Sequence, residues 1–223
     1  MSGVAVALET SARAASVAVR SGERSIEIAL EPDRAHAGDL LPAIDRAVRE
    51  LGRSPREIGL VLVGTGPGSY TGLRVGIATA LGIARGTAAQ LRGVPSGETL
   101  AFGELVPGEE SAVVLDARAG ELYFALFRRT ASEVEILRAP CVLRPEELVP
   151  ALPGGGPIFG DRAALEVAAV SPAVLERFRP GVVPRAAALL ALGAARVERL
   201  GPESPESIRP LYLRPFAVRA RRR

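Results

Sequence analysis

The chain is predicted to be an α/β protein of two similar lobes, each a mixed sheet flanked by helices, and three observations predict it. Short β-branched runs precede an amphipathic helix and a further apolar strand, a β-α-β-α order that implies parallel strands added to an antiparallel start. The run "IGLVLVG" (Ile58–Gly64) is apolar almost without a break, as a strand covered on both faces must be. Finally, "SAVVLDARAGELYFALFRR" (Ser111–Arg129) repeats the design of the opening "GVAVALETSARAASVAVR": an apolar strand ending in a carboxylate, a short Ala/Arg-containing turn, then another strand. Glu9 and Asp116 are the equivalent acids. The pattern breaks at "VPGEE", which places the lobes at residues 1–107 and 108–223.

Each element follows from its own residues. "VAVALE" (Val4–Glu9) and "SVAVR" (Ser16–Arg20) form a hairpin around the small and polar "TSARAA", and "SIEIAL" (Ser25–Leu30) adds a third alternating strand. From His36 to Leu51, Leu40, Leu41, Ile44, Val48 and Leu51 recur at helical spacing, with Asp39, Asp45, Arg46 and Glu50 on other faces. Ile58–Gly64 then leads through a glycine-rich stretch into a second helix. In the second lobe "VEILRA" (Val134–Ala139) supplies the third strand, "PALPGGGP" (Pro150–Pro157) a loop and "IFGD" (Ile158–Asp161) a short strand. Arg185–Leu200 is a helix rich in Ala and Leu.

Composition narrows the chemistry. With 223 residues, 48% of them hydrophobic, the chain can bury a sizeable core. Its longest apolar runs, around Val75–Ala84 and Ala186–Val197, are interrupted and too short to span a bilayer. No signal peptide is read before the first strand, and Cys141, the single cysteine, allows no internal disulfide. The expected location is the cytoplasm. There is no lysine, which excludes a Schiff base, a phosphate-loop lysine and a lysine general base. A net charge of +3 does not describe a nucleic-acid-coating surface, although Arg219, Arg221, Arg222 and Arg223 concentrate charge in a tail that is either solvated or in contact with phosphate.

The stretch "GTGPGSYTGLRVGIATALGIA" fits no familiar phosphate loop, because it has no Lys for a Walker A motif and Thr71 stands where the dinucleotide fingerprint needs Gly. Two readings stay open: a glycine turn presenting helix N–H groups to an anion, with Ser69 or Thr71 as N-cap, and a tight strand-to-helix turn that allows close packing. Glu9 and Asp116 either face each other across a cleft, holding Mg²⁺ against a nucleotide phosphate, or merely end their strands. His36, the single histidine, starts a helix and suits a cap better than a metal site or triad. Cys141 reads as a small core residue. Gly72, Gly76, Ala80 and Ala84 recur every fourth residue, a stripe without side-chain bulk that either packs on the chain's own sheet or, with Leu73, Ile77, Leu81 and Ala84 able to cover that sheet, admits close approach of a neighbour, the reading preferred here.

Together with "ALETS", "RAHAGDLLP" (Arg34–Pro42), "LDARAGELYFA" (Leu115–Ala125) and "PLYLRP" (Pro210–Pro215), that glycine stretch resembles, in order and spacing, the TsaB (YeaZ) family, the paralogues of TsaD. The resemblance implies the two-lobed actin-like fold of the actin, sugar-kinase and Hsp70 superfamily. It implies a role in making N6-threonylcarbamoyladenosine next to the anticodon of tRNAs reading codons that start with A. Its partners would be a TsaD-like catalytic subunit, a TsaE-like ATPase and, through the complex, tRNA, with a homodimer when alone. ATP and Mg²⁺ would be used by the complex. TsaD-like subunits hold a metal through His-x-x-x-His where this chain reads "RGVPSGETLAFG" (Arg92–Gly103), so no catalytic residue and no metal is expected. Glu9, Thr10, Ser11 and Asp116 would form a weak or degenerate nucleotide site, crowded by the longer Glu9 carboxylate and by Arg118. The partner interface would comprise His36, Leu40, Gly72, Gly76, Ala80 and Ala84, and the motif turn Gly66, Pro67, Gly68, Ser69, Thr71 and Arg74. A stand-alone Mg²⁺-dependent ATPase or kinase is the alternative. A peptidase has the least support, having neither zinc triad nor Ser–His pair.

Overall fold

The computed structural model describes residues 3–31, 36–117 and 119–213. Three strands open the chain, β1 (Val4–Glu9), β2 (Ser16–Ser21) and β3 (Arg24–Ala29). They are followed by α1 (His36–Glu50), β4 (Ile58–Gly64), α2 (Tyr70–Thr87) and β5 (Gln90–Val94). The sheet order is β3-β2-β1-β4-β5, antiparallel across β1, β2 and β3 and parallel from β1 through β4 to β5. β1 lies at its centre, with Val6 opposite both Val19 and Val61, so every residue of β1 is buried. Its alternation sets the layers: Val4, Val6 and Leu8 face the core under α1 and α2, whereas Ala5 and Ala7 face the opposite side.

After α3 (Ser96–Glu104) the plan repeats with β6 (Glu110–Asp116), β7 (Leu122–Arg129) and β8 (Val134–Leu143). Then come α4 (Pro145–Ala151), β9 (Ile158–Gly160) and the short α5 (Arg162–Val167) and α6 (Pro172–Leu175). This second sheet runs β8-β7-β6-β9, antiparallel except for the parallel β6–β9 pair. It is the first sheet over again, less one strand. The duplication read from the sequence is therefore present in the topology, and each repeat opens on a strand ending in the matched acid.

The last helix, α7 (Ala186–Leu200), corrects the sequential lobe boundary. It packs with Ala5, Ala7, Leu60, Leu62 and Val94, on the face of the first sheet opposite α1 and α2. Small residues on both sides permit this: a Cβ on Gly193 would fall 2.8 Å from the Leu62 side chain. A break at residues 107/108 thus separates the sheets but not the helix. α3 is wedged between the repeats. Leu100, Ala101 and Leu105 join Val113, Ala125 and Phe127 of the second sheet, while Phe102 packs against the α7 core. An ion network spans the same junction, Arg196 of α7 meeting Glu98 of α3 at 2.5 Å and Glu133 of the β7–β8 turn at 2.8 Å. Among the described residues no helix is long and apolar enough to cross a membrane.

Candidate functional site

β4 ends at Gly64 beside the last residues of β1, and the glycine-rich turn then leads into α2. Gly66 holds a φ of +96°, a backbone region that disfavours side chains. Ser69 caps α2, its Oγ accepting from Gly72 N at 3.2 Å, so of the two cap candidates Ser69 is the one used. Two of the turn's amides are spent inside the chain: Ser69 N donates to Ser11 O at 2.6 Å and Gly66 N donates to Ser96 Oγ at 3.1 Å. An anion cradle would need such groups turned outward. The structure instead supports the other reading, a turn built for close packing.

What it packs on is one tripeptide. A Cβ on Gly64 would meet the Glu9 carboxylate, one on Gly68 Ser11 O, one on Gly72 Thr10 O, and one on Gly76 Thr10 Oγ1, each well inside the 3.0 Å that real Cβ atoms respect. Four glycines of the motif therefore clamp Glu9, Thr10 and Ser11. Glu9 is fully buried, its Oε1 accepting from Ser11 N at 2.9 Å and Ser96 Oγ at 3.2 Å, while its Oε2 and Thr10 Oγ1 have no protein partner. Burial pushes the Glu9 carboxyl above the usual carboxylate range, against the hydrogen bonds to Ser11, Ser96 and Thr10 that favour the charged form. Glu9 thus lines no cleft. Its counterpart Asp116 is exposed, and its amide donates to Asp161 Oδ2 at 2.9 Å. The two equivalent acids have opposite environments, and of the two open readings Glu9, which accepts from the amide of Ser11, fits that of a strand-ending acid rather than that of a metal-holding pair. Arg118 lies outside the described residues, as does the tail from Arg219 to Arg223.

The small-residue stripe is also corrected. Gly72 and Gly76 are used up against Thr10, and Ala80, Ala84 and Leu40 are buried in the core beneath α1 and α2. Leu73 and Ile77 are buried beside them, so α2 sinks one broad face into its own sheet. The side chain of His36 lies outside the described residues. The outer face of α2 carries Thr71, Arg74, Ala78, Gly82 and Arg85. Gly82 and Gly86 meet nothing within 4 Å of a built Cβ, so neither is needed by this chain's packing. Between α2 and Pro202–Glu206 runs a groove of about 780 Å³ lined in part by Ala78, Leu81, Gly82, Arg85 and Glu203. Leu41, 54% exposed on α1, belongs to the same outer helix layer.

Two duplicated β-β-β-α-β units, each with an acid ending its first strand, define a protein of the actin-like class. The family model described as TsaD, tRNA N6-adenosine threonylcarbamoyltransferase, matches residues 30–177. The chain is 33% identical over 145 residues to the tRNA threonylcarbamoyladenosine biosynthesis protein TsaB of Escherichia coli, covering 63% of this chain and 62% of that protein. It is 35% identical over 124 residues to the protein of the same name from Haemophilus influenzae, covering 54% and 52%. The matched stretches thus span between half and two thirds of these curated relatives. The structure superposes on YeaZ from Pseudomonas aeruginosa with a TM-score of 0.81 at 27% identity, covering 95% of this chain and 100% of that one. The chain belongs to the TsaB/YeaZ family.

Proposed function

We propose that the chain is a non-catalytic scaffolding and activating subunit of the assembly that transfers a threonylcarbamoyl group to N6 of the adenosine beside the anticodon, in tRNAs reading codons that start with A. The names of the E. coli and H. influenzae relatives support the pathway. The observation that carries the scaffolding role is Gly82. Glycine inside a helix costs about 1 kcal/mol relative to alanine. Gly72 and Gly76 offset that cost through their approach to Thr10, but Gly82 has no such compensation within the chain. A partner helix laid along Ala78, Gly82 and Gly86 would supply it. The outer layer of α1 and α2 is therefore the docking face for a TsaD-like catalytic subunit, and for a second copy of this chain when that subunit is missing. TsaE-like ATPase, tRNA, ATP and Mg²⁺ join at the level of the complex, in the cytoplasm.

The burial of Glu9 supports a chain that does no nucleotide chemistry itself. A carboxylate closed behind the motif turn does not fit a Mg²⁺–phosphate group, which needs oxygens presented to solvent or ligand. The stretch Arg92–Gly103, which lacks histidine, is occupied by β5 and α3 at the junction between repeats. Size-exclusion chromatography with the catalytic subunit from the same source, and titration calorimetry of the isolated chain with Mg²⁺ and ATP, test this. Co-elution without nucleotide binding is expected. Micromolar ATP affinity with turnover would favour the kinase-like alternative and overturn the scaffold.

A further inference from the structure

We propose that Tyr70, Tyr212 and Arg74 form a stacking platform for the bases of a single-stranded RNA segment, an inference that rests on the reading of this chain as part of a tRNA-modifying assembly. Tyr70 opens α2 at the end of the motif turn. Tyr212 comes from a stretch 142 residues away in sequence, brought over the turn by Leu211 N donating to Thr65 O at 2.7 Å. Their ring centroids lie 5.4 Å apart with a tilt of 34°. One turn along α2, the Arg74 guanidinium sits 4.9 Å from the Tyr70 centroid and donates to the Tyr70 hydroxyl. A cation and two rings thus form one assembly, and the tyrosines remain 39% and 41% exposed.

The chemistry around this assembly favours a polyanion with π-faces. Every base has a face that stacks on an aromatic ring whatever its sequence, and arginine serves both stacking and phosphate contact. The exposed residues Ser69 and Thr71 add hydroxyls, and residues 68–71 and Arg74 bring no carboxylate. Beyond Leu213 the sequence continues as "RPFAVRARRR", with five arginines and no acid. Tyrosine and arginine also dominate protein hot spots, but those sit within apolar surroundings that exclude water. Here Ser69, Thr71 and Arg74 place hydroxyls and a cation around Tyr70, while Leu211 and Leu213 flank Tyr212 in sequence.

The test is fluorescence anisotropy of labelled oligoadenylate, and of unmodified tRNA, titrated with the full chain alone and with its catalytic subunit. Tyr70→Ala and Tyr212→Ala should each weaken binding by about 5- to 150-fold, the range expected for loss of one stacked base. Tyr212→Phe should retain it. Arg74→Gln should lower the slope of log affinity against log salt by about 0.7. Equal affinity across these variants, or no RNA binding by the wild type, would overturn the platform, as would a loss on Tyr212→Phe equal to that on Tyr212→Ala. If the alanine variants lose the catalytic subunit while RNA binding holds, the cluster is a protein contact and the inference is wrong. A wild type that binds RNA yet never co-elutes with the catalytic subunit would instead count against the scaffold.

Discussion

Glycines that look alike in the sequence do different things in the molecule. Gly76 is required by the approach of Thr10, whereas Gly82 points its missing side chain at open space. Gly76→Ala should therefore destabilise the fold by about 1 to 3 kcal/mol, the usual cost of forcing an atom into a packed site. Gly82→Ala should stabilise it by up to about 1 kcal/mol through helix propensity alone. Urea midpoints of the two variants check this, and equal shifts would mean that the clamp on Thr10 is unimportant. Glu9 supplies a pH signature. Its carboxyl is raised by burial, so the fold prefers the protonated form. That contribution is fully present below the ordinary carboxylate pKa and is lost as pH rises through the higher folded value. The wild type should lose stability as pH rises above the ordinary carboxylate range toward the higher folded value, and Glu9→Gln should flatten that part of the profile. A variant with the same pH dependence as the wild type would show that Glu9 is charged in the fold at no cost.

Elements with a local period could be read directly. Ile58–Gly64 is the strand the sequence predicts, residue for residue, and α1 and α7 differ from their expected bounds by one residue. Packing partners could not be read in the same way. An i, i+4 spacing identifies a face but not what the face meets, and α2 carries small residues on two faces, Gly72-Gly76-Ala80-Ala84 inward and Ala78-Gly82-Gly86 outward. The inward set was the one expected to be free. Ser96, which donates to Glu9 from 87 residues away, leaves no local trace in the sequence. Nor does the return of α7 to the first sheet. α4 includes Pro150 and Ala151, at the start of the stretch expected to be a loop, because Pro145 opens a helix in which Leu148 is buried. At the junction of α3, α7 and the β7–β8 turn, Arg196 is 11% exposed by side chain and Glu98 8%. Removing one partner of so buried a pair leaves the other uncompensated, so Arg196→Ala should cost about 3 kcal/mol in chemical denaturation. A loss below about 1 kcal/mol would mean that apolar packing of α3 alone holds the repeats together.

Across the whole molecule, duplication provides two sheets, and the motif turn closes the first repeat over its own acid. Surface then becomes the chain's main resource, with α1 and α2 presenting an outer layer whose open glycines this chain does not use. The central claim is that this layer, and not the buried stripe, meets the catalytic subunit. It is tested most directly by comparing Gly82→Arg with Ala80→Arg, using circular dichroism for the fold and size-exclusion chromatography with the catalytic subunit for docking. Gly82 has room for a side chain, so Gly82→Arg should keep its fold, with a stability change within about 1 kcal/mol, yet lose co-elution. Ala80 is fully buried, so Ala80→Arg should fail to fold. A folded Gly82→Arg chain that co-elutes as the wild type does would contradict the claim and place the docking surface elsewhere.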